Sequence, residues 1–179
     1  MKKRFQKIIY SLGINISGYN VDEEIRLLKA QLPSKFTKRR VVDVGCGDGK
    51  TSLKLRKILK PVFYQGVDLS PALISRAQKR GLNAQVKDVS KEEIYGDLGI
   101  LWGVIHHFNE PVETLQKIYT HFNSLIIRAP VEENRFCELG HKFNKREFLE
   151  ILSEAGINSQ DQIIVKAPKN NSLILFIDR

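Results

Sequence analysis

The sequence predicts an α/β fold: a mostly parallel sheet between two layers of helices, closed by an antiparallel C-terminal hairpin. Three observations predict it. From Arg40 onward, short apolar runs typical of buried strands alternate with segments of helical periodicity. A loop with three glycines follows the first of these strands. The last two apolar runs are separated only by a short turn-forming segment, which is typical of a hairpin.

Each element has its own local signal. The five strands of the alternating region are predicted at residues 40–45, 62–70, 83–89, 98–105 and 124–130, and the hairpin at 161–167 and 172–179. One helix is expected over 50–59, ended by Pro61, and another from Ser70-Pro71 to Gly81. Two further helices are expected, one from Asn109 and Pro111 with an apolar stripe of Val112, Leu115, Tyr119 and Phe122, and one from an Asn144–Glu147 capping box to Gly156.

Residues 1–39 lie outside the alternation. They are predicted to form an N-terminal helical cover, whose second helix is capped at Asn20 and turns Val21, Ile25, Leu28 and Leu32 inward. No linker separates this segment from the first strand. Residues 40–179 are therefore expected to form the main domain of a single globular unit, with the cover over the carboxyl edge of its sheet.

Composition and charge limit the classes of function. The chain has 179 residues, of which 42% are hydrophobic and 27% charged, as in ordinary globular proteins. Its N-terminus resembles a secretion signal, but Ser11, Gly13 and Asn15 interrupt the apolar part, so a cytoplasmic protein is expected. The formal net charge is +9, and residues 1–40 hold ten Lys or Arg against three acids. This basic quarter can attract a polyanion, or it is a solvated face that aids solubility.

Metal and redox motifs are absent from the sequence. Its two cysteines, Cys46 and Cys137, form no Cys-x-x-Cys pair, and the four histidines lack the spacing of metal ligands. No metal site is therefore expected.

The glycine loop lies in the stretch VVDVGCGDGK, residues 41–50. Glycines allow positive φ angles and a close approach of a ligand to the backbone, so the loop is either a structural turn or a cofactor cradle. Asp68 ends the second strand, where it can accept hydrogen bonds from ribose hydroxyls, and Asp88 ends the third, where it can accept from an exocyclic amine. Each aspartate alone is better explained as a helix cap or turn, but their order on successive strand ends favours a nucleoside-bearing cofactor.

The loop chemistry indicates which cofactor. Its spacing, Gly45-x-Gly47-x-Gly49, differs from the Gly-x-Gly-x-x-Gly of dinucleotide sites, and the P-loop pattern is absent. Asp43 and Asp48 would repel a pyrophosphate and suit a cation. S-adenosylmethionine has a positive sulfonium and amino group as well as an adenosine, and it fits these residues.

With these motifs the sequence resembles the class I S-adenosylmethionine-dependent methyltransferases, in their small-molecule branch. VVDVGCGDG is similar to the family's first motif, GVDLS to its ribose motif, VKDV to its adenine motif, and DLGILWGVIHHF and GHKFNKREFLEILSEAGI to its later segments. The resemblance covers residues 40–179 and implies a Rossmann-like three-layer sandwich with seven strands. It also implies a set of cofactor-binding residues: Asp43, Gly45, Cys46, Gly47, Gly49, Asp68, Leu69, Asp88, Val89, Leu101 and Trp102.

The expected function is methyl transfer to an oxygen, nitrogen or other nucleophile. A small-molecule acceptor is favoured because only residues 1–39 and 131–143 are available to build an acceptor pocket. Three alternatives stay open: an RNA methyltransferase that uses the basic N-terminal segment, a non-catalytic S-adenosylmethionine-binding module, and a nicotinamide-dependent dehydrogenase. No catalytic residue is assigned, although His106, His107 and His141 are candidates for a general base.

Overall fold

The computed structural model describes residues 21–131, 143–158, 162–167 and 172–179, with the backbone alone for 162–167. It contains seven strands in this part of the chain: β1 Arg40–Val44, β2 Phe63–Asp68, β3 Ala84–Val86, β4 Gly96–Trp102, β5 Phe122–Pro130, β6 Gln162–Ala167 and β7 Ser172–Asp178. The α-helices are α1 Val21–Gln31, α2 Lys50–Leu59, α3 Pro71–Lys79, α4 Pro111–Thr120 and α5 Lys145–Glu154.

All seven strands form one sheet in the order β3-β2-β1-β4-β5-β7-β6. Strands β1 to β5 pair in parallel, and β7 runs antiparallel between β5 and β6. The predicted α/β fold with its antiparallel C-terminal hairpin is confirmed. The chain winds outward from β1 in one direction to β3 and then restarts at β4 on the other side. Ligands of such sheets bind at this reversal, beyond the carboxyl ends of the strands.

The sheet is buried on both faces, which explains why its strands are nearly continuous apolar runs. One face packs Val42, Leu101, Leu125 and Leu175 against α4 and α5, and the other packs Val41, Ile100, Ile126 and Ile174 against α1, α2 and α3. The boundaries of α2 and the Ser70 cap of α3 agree with the sequence predictions. The Asn144–Glu147 capping box is also present at the start of α5.

Three local predictions are corrected. The third strand, predicted over residues 83–89, spans only Ala84–Val86, because residues 87–95 form turns. The strand predicted to reach Ile105 ends at Trp102, and residues 105–107 form a short 3-10 helix. Phe122 starts β5 and does not belong to α4, whose buried residues are Thr114, Leu115 and Ile118.

Helix α1 joins the sheet through a buried ion pair. The carboxylate of Glu24 accepts hydrogen bonds from Nε and Nη2 of Arg128, at 3.0 and 2.7 Å, and a short one from the hydroxyl of Ser172. Glu24 is fully buried and Arg128 is 2% exposed. Leu28 and Phe36 of the same segment lie in the core with β7, where the rings of Phe36 and Phe176 are 5.3 Å apart. The division of the chain into a cover of residues 1–39 and a domain of residues 40–179 stays a proposal.

The buried pair gives a test of what holds α1 in place. Replacing Glu24 by Gln leaves the guanidinium of Arg128 buried without a counter-charge, which costs about 3–5 kcal/mol of unfolding free energy. Glu150→Gln is the matched control, because Glu150 pairs with Arg146 on the solvent side of α5 and such pairs contribute less than about 1 kcal/mol. Urea unfolding measures the free energy of unfolding of both variants. An equal decrease in the two variants would contradict the role assigned to Glu24.

Candidate functional site

The glycine loop after β1 is fastened to the end of β2. The N–H groups of Gly45 and Cys46 donate to the carbonyl oxygen of Val67, at 2.8 and 3.1 Å. The N–H of Gly47 donates to Oδ2 of Asp68 at 3.0 Å. The backbone oxygen of Asp68 in turn accepts from the N–H of Lys87, just past β3. The ends of β1, β2 and β3 are thus joined by hydrogen bonds.

The loop needs glycine for reasons that the structure makes explicit. Gly45, Gly47 and Gly49 have φ angles of 73°, 56° and 81°, which other residues rarely adopt. A Cβ at Gly45 would lie 2.4 Å from a methyl carbon of Val104. A Cβ at Gly47 would meet nothing within 4 Å. Gly45 is therefore required by packing, whereas Gly47 borders open space in which a ligand can approach the backbone.

Asp43 is a buried carboxyl group beneath the loop. The hydroxyl of Tyr64 on β2 donates to its Oδ2 at 2.7 Å. Burial raises the pKa of Asp43 to about 6, although hydrogen bonds from Ser52 and Tyr64 offset part of the rise. A nearby cation would stabilise the ionised form of this carboxyl group, so Asp43 fits the cationic part of a ligand.

Asp68 serves the structure and remains able to accept further hydrogen bonds. Besides Gly47, it accepts from the N–H of Ser70 through Oδ1 at 2.9 Å. Burial raises its pKa, while the backbone hydrogen bonds oppose the rise. Each carboxylate oxygen has two lone pairs, so both oxygens keep acceptor capacity for ligand hydroxyls.

Asp48 does not present a free negative charge. Its Oδ2 lies 3.2 Å from a guanidinium nitrogen of Arg80 and 3.7 Å from Nζ of Lys50. Arg80 also donates from Nε to the carbonyl oxygen of Asp48 at 3.0 Å. The expectation that Asp48 helps to attract a cation is therefore weakened, and that part of the argument rests on Asp43.

Asp88 forms a turn just past β3. Its Oδ1 accepts from the N–H and the hydroxyl of Ser90, at 3.2 and 2.5 Å, and Oδ2 lies 3.3 Å from Nζ of Lys91. The hydrogen bond from the Ser90 side chain lowers the pKa of Asp88, with a smaller contribution from Lys91. Asp88 is therefore ionised at neutral pH and has the turn-forming role that a lone aspartate would suggest.

The remaining residues of the predicted set differ in accessibility. The side chain of Leu69 is 67% exposed next to Asp68, and Val89 is half-buried. Trp102 is also half-buried, whereas Leu101 is fully enclosed in the core and has only its backbone to offer. Cys46 is buried against Gly66, and burial raises the pKa of its thiol, so it is unreactive there.

Two of the candidate histidines lie at the end of β4. His106 is buried and His107 is half-buried, and their ring centroids are 3.9 Å apart. Burial lowers the pKa of His107 to about 4, so its ring is neutral at physiological pH. His141 and Cys137 lie outside the described residues.

Comparison with known proteins identifies the family. The sequence profile described as "Methyltransferase domain" matches residues 18–128. The chain belongs to the methyltransferase-domain family. This match confirms the family resemblance that the sequence motifs indicate.

Sequence relatives share a short segment with this methyltransferase-domain protein. Trans-aconitate 2-methyltransferases from Mycobacterium sp. (strain KMS) and Rhodococcus jostii (strain RHA1) are 39% identical over 51 residues. That segment is 28% of this chain and only 20% of either relative's length.

Solved structures show the same fold over almost the whole chain. Magnesium protoporphyrin IX methyltransferase from Synechocystis PCC 6803, solved with bound S-adenosylhomocysteine, has a TM-score of 0.67 and 17% identity, over 99% of this chain and 93% of that one. A methyltransferase from Thermotoga maritima has a TM-score of 0.70 and 14% identity, over 98% and 95%. Mitomycin 7-O-methyltransferase has a TM-score of 0.70 and 18% identity, over 89% of this chain and 53% of its own.

Sequence reasoning missed the residues that partner the site carboxylates. Tyr64 lies at an ordinary buried strand position, and Arg80 lies 32 residues from Asp48, in a region rich in basic residues. Arg80 has no local sequence signal. For Tyr64 the signal is weak: a tyrosine among apolar strand residues indicates that its hydroxyl has a buried polar partner.

The buried carboxyl of Asp43 predicts a specific pH dependence of stability. An unfolded aspartate ionises near pH 3.8, whereas folded Asp43 ionises near pH 6. Between these values only the folded state retains the proton, so stability falls as pH rises, by about 3 kcal/mol in total. Asp43→Asn should remove this loss. Urea unfolding at about pH 4 and about pH 7 measures this fall in stability. Asp22→Asn, at an exposed position, is the control and should keep the fall. Identical pH profiles for Asp43→Asn and wild type would contradict the assignment.

Proposed function

We propose that the protein binds S-adenosylmethionine beyond the ends of β1, β2 and β3 and transfers its methyl group to a small-molecule acceptor. One observation carries the proposal: a glycine loop with positive φ angles lies at the reversal of strand order, and the Asp68 carboxylate holds its central N–H. The loop leaves open space at Gly47, where a ligand can reach the backbone.

The residues suit the parts of this cofactor. Asp68 retains lone pairs for the two ribose hydroxyls, and exposed Leu69 beside it offers an apolar surface to the adenine. The proposed role of Asp43 is to balance the amino group of the methionine part. Asp88 and Val89 are assigned to the adenine amine and ring, and Leu101 and Trp102 to the methionine end. Gly45, Cys46 and Gly49 complete the loop.

The protein's own contribution to the reaction is to position the two reactants and to exclude water from them. S-adenosylmethionine, when bound, would supply an electrophilic methyl group to an acceptor nucleophile, with S-adenosylhomocysteine as the leaving group and the acceptor's proton released to solvent or to a base. Alignment of the reactants in a dry site supplies much of the acceleration in such displacements. Half-buried Trp102 can wall the site. His107 is neutral at physiological pH, but the burial that lowers its pKa also makes it a weak base, so no proton-accepting role is assigned to it.

The proposed class of acceptor rests on similarity to proteins of known substrate. The named relatives act on trans-aconitate, mitomycin and magnesium protoporphyrin IX, which are small molecules. The atom that accepts the methyl group stays open. A cytoplasmic location remains a prediction; among the described residues, no helix has the length and apolar character that a membrane crossing requires.

Two glycines provide a matched test of the cofactor site. Gly47 and Gly81 both have positive φ, 56° and 83°, and neither has an atom within 4 Å of an added Cβ. Replacement of either by alanine imposes similar backbone strain, about 1–2 kcal/mol. Only the methyl group at position 47 would enter the proposed cofactor space. Calorimetric titration with S-adenosylmethionine should therefore show at least about a tenfold weaker affinity for Gly47→Ala and no change for Gly81→Ala.

If Gly47→Ala and the wild type bound S-adenosylmethionine with equal affinity, the cofactor site would lie away from Gly47. Binding without methylation of any acceptor in a small-molecule screen would favour the non-catalytic module. Methylation confined to RNA would favour the alternative acceptor.

The pH dependence of binding tests Asp43 separately. If its ionised form balances the cationic cofactor, affinity should rise about tenfold between pH 5 and pH 7, because the carboxyl ionises at about 6. Asp43→Asn should bind weakly at both pH values and lose this rise. A rise that persists in Asp43→Asn would assign the titration to another group.

A further inference from the structure

The edge of the sheet opposite the proposed cofactor site carries a second surface with its own chemistry. It consists of residues 38–40, which lead into β1, and residues 60–63, which lead into β2; we call it the amino-edge surface. The N–H of Lys38 donates to the carbonyl oxygen of Leu59 at 3.0 Å, and the N–H of Val62 donates to that of Arg39 at 3.1 Å. These two segments are therefore held side by side. The five residues of β1 place this surface about 16 Å from the glycine loop.

Positive charge is concentrated on this surface. It includes Lys38, Arg39, Arg40 and Lys60, and none of these forms an ion pair with another described residue. Two carboxylates lie nearby. Asp97 accepts the backbone N–H of Arg40, and Asp178 pairs with Lys35. The backbone hydrogen bond leaves the negative charge of Asp97 in place, and Nε of Arg39 donates to the carbonyl oxygen of Lys35 at 2.8 Å. The side chains of Lys38, Arg40 and Lys60 are exposed and accessible to a partner.

Two of the cations occupy strained backbone positions. Lys38 and Lys60 have φ angles of 55° and 46°, and they are the only described residues other than glycine with positive φ. Glycine or asparagine would adopt this conformation at lower cost. Both positions instead carry a lysine, on neighbouring segments. The backbone conformation thus leaves room for a substitution at both positions that removes the charge and relieves the strain.

Apolar groups are exposed among the charges. Phe63 is 40% exposed and Val62 is 73% exposed. The guanidinium carbon of Arg40 lies 5.5 Å from the centroid of the Phe63 ring. An accessible aromatic ring flanked by cations can stack on a base while the cations contact phosphates, which is how single strands are bound without sequence preference.

From this arrangement we infer that the amino-edge surface binds a single strand of nucleic acid. The first twenty residues of the chain contain Lys2, Lys3, Arg4 and Lys7 and no acid, so they hold no negative charge that could neutralise the surface. An anionic membrane would need a broader apolar face than Val62 and Phe63 supply. An acidic peptide would leave the exposed ring without a stacking partner.

The experiment is a fluorescence anisotropy titration of the full chain with a labelled single-stranded RNA of about 16 nucleotides, over a series of salt concentrations. The charge variant is Lys38→Gly with Lys60→Gly. Because glycine fits both backbone positions, its melting temperature should be no lower than that of wild type. Its affinity should fall about tenfold at low salt, and the slope of log affinity against log salt should drop by about 0.7 for each lysine removed.

The matched control removes the same net charge elsewhere, as Lys79→Ala with Lys145→Ala at two exposed positions. This control should change the affinity by less than about twofold. If the glycine variant melts early, Lys38→Asn with Lys60→Asn replaces it, because asparagine also tolerates positive φ.

A second variant tests the stacking ring. Phe63→Ala should lower the affinity about tenfold and leave the salt slope unchanged, since it removes stacking and no charge. Tyr95→Ala, which removes another exposed aromatic ring, is the control and should bind as wild type does.

Several results would overturn the inference: no binding of the strand at low salt, equal losses in the two lysine pairs, or a Phe63→Ala variant that binds like wild type. Stronger binding to vesicles with anionic phospholipid than to the strand, or to duplex than to single strand, would also overturn it. Calorimetric binding of S-adenosylmethionine to the lysine variants should match wild type, so a failure here is distinguishable from a failure of the proposed function.

Discussion

The hydrogen bond from the Gly47 N–H to the Asp68 carboxylate is the constraint on which the site depends. It joins the end of β1 to the end of β2 at the reversal of strand order. Two further bonds, from Gly45 and Cys46 to Val67, keep the loop close to β2. The loop follows this path only because its three glycines adopt positive φ angles. The Asp68 carboxylate fixes the conformation of the glycine loop and is also the proposed acceptor for the ribose hydroxyls. A change at Asp68 would therefore affect both the loop conformation and cofactor binding.

Most buried charged groups around the site are paired with an opposite charge, and Asp43 is the exception among the described residues. The Glu24–Arg128 pair is satisfied internally and holds α1 to β5. Asp48 is likewise neutralised by Arg80. Asp43 receives hydrogen bonds but no cation from a described residue, and burial leaves its pKa near 6. The site thus contains one carboxyl group whose ionisation a positive ligand would favour, and this is the electrostatic argument for a cationic cofactor.

Most of the fold was predictable because its signals are local. Pro61, Ser70-Pro71 and the Asn144 capping box mark helix boundaries, and apolar runs mark the strands. The positions of Asp43, Asp68 and Asp88 at strand ends followed from the parallel alternation. The partners of the site carboxylates did not follow from it. Tyr64 reaches Asp43, Arg80 reaches Asp48 and Ser90 reaches Asp88 through tertiary contacts or turns that no periodicity encodes.

The most direct test of the central claim is calorimetric titration of the wild-type protein with S-adenosylmethionine, with its demethylated product and with NAD. The account predicts one-to-one binding of the first two and none of NAD, because the loop spacing and the Asp43 carboxyl suit a cationic nucleoside and not a pyrophosphate. Binding of NAD alone would contradict it and favour a dinucleotide site at the loop. Binding of none of the three would also contradict it and leave the glycine loop as a structural turn within a methyltransferase fold.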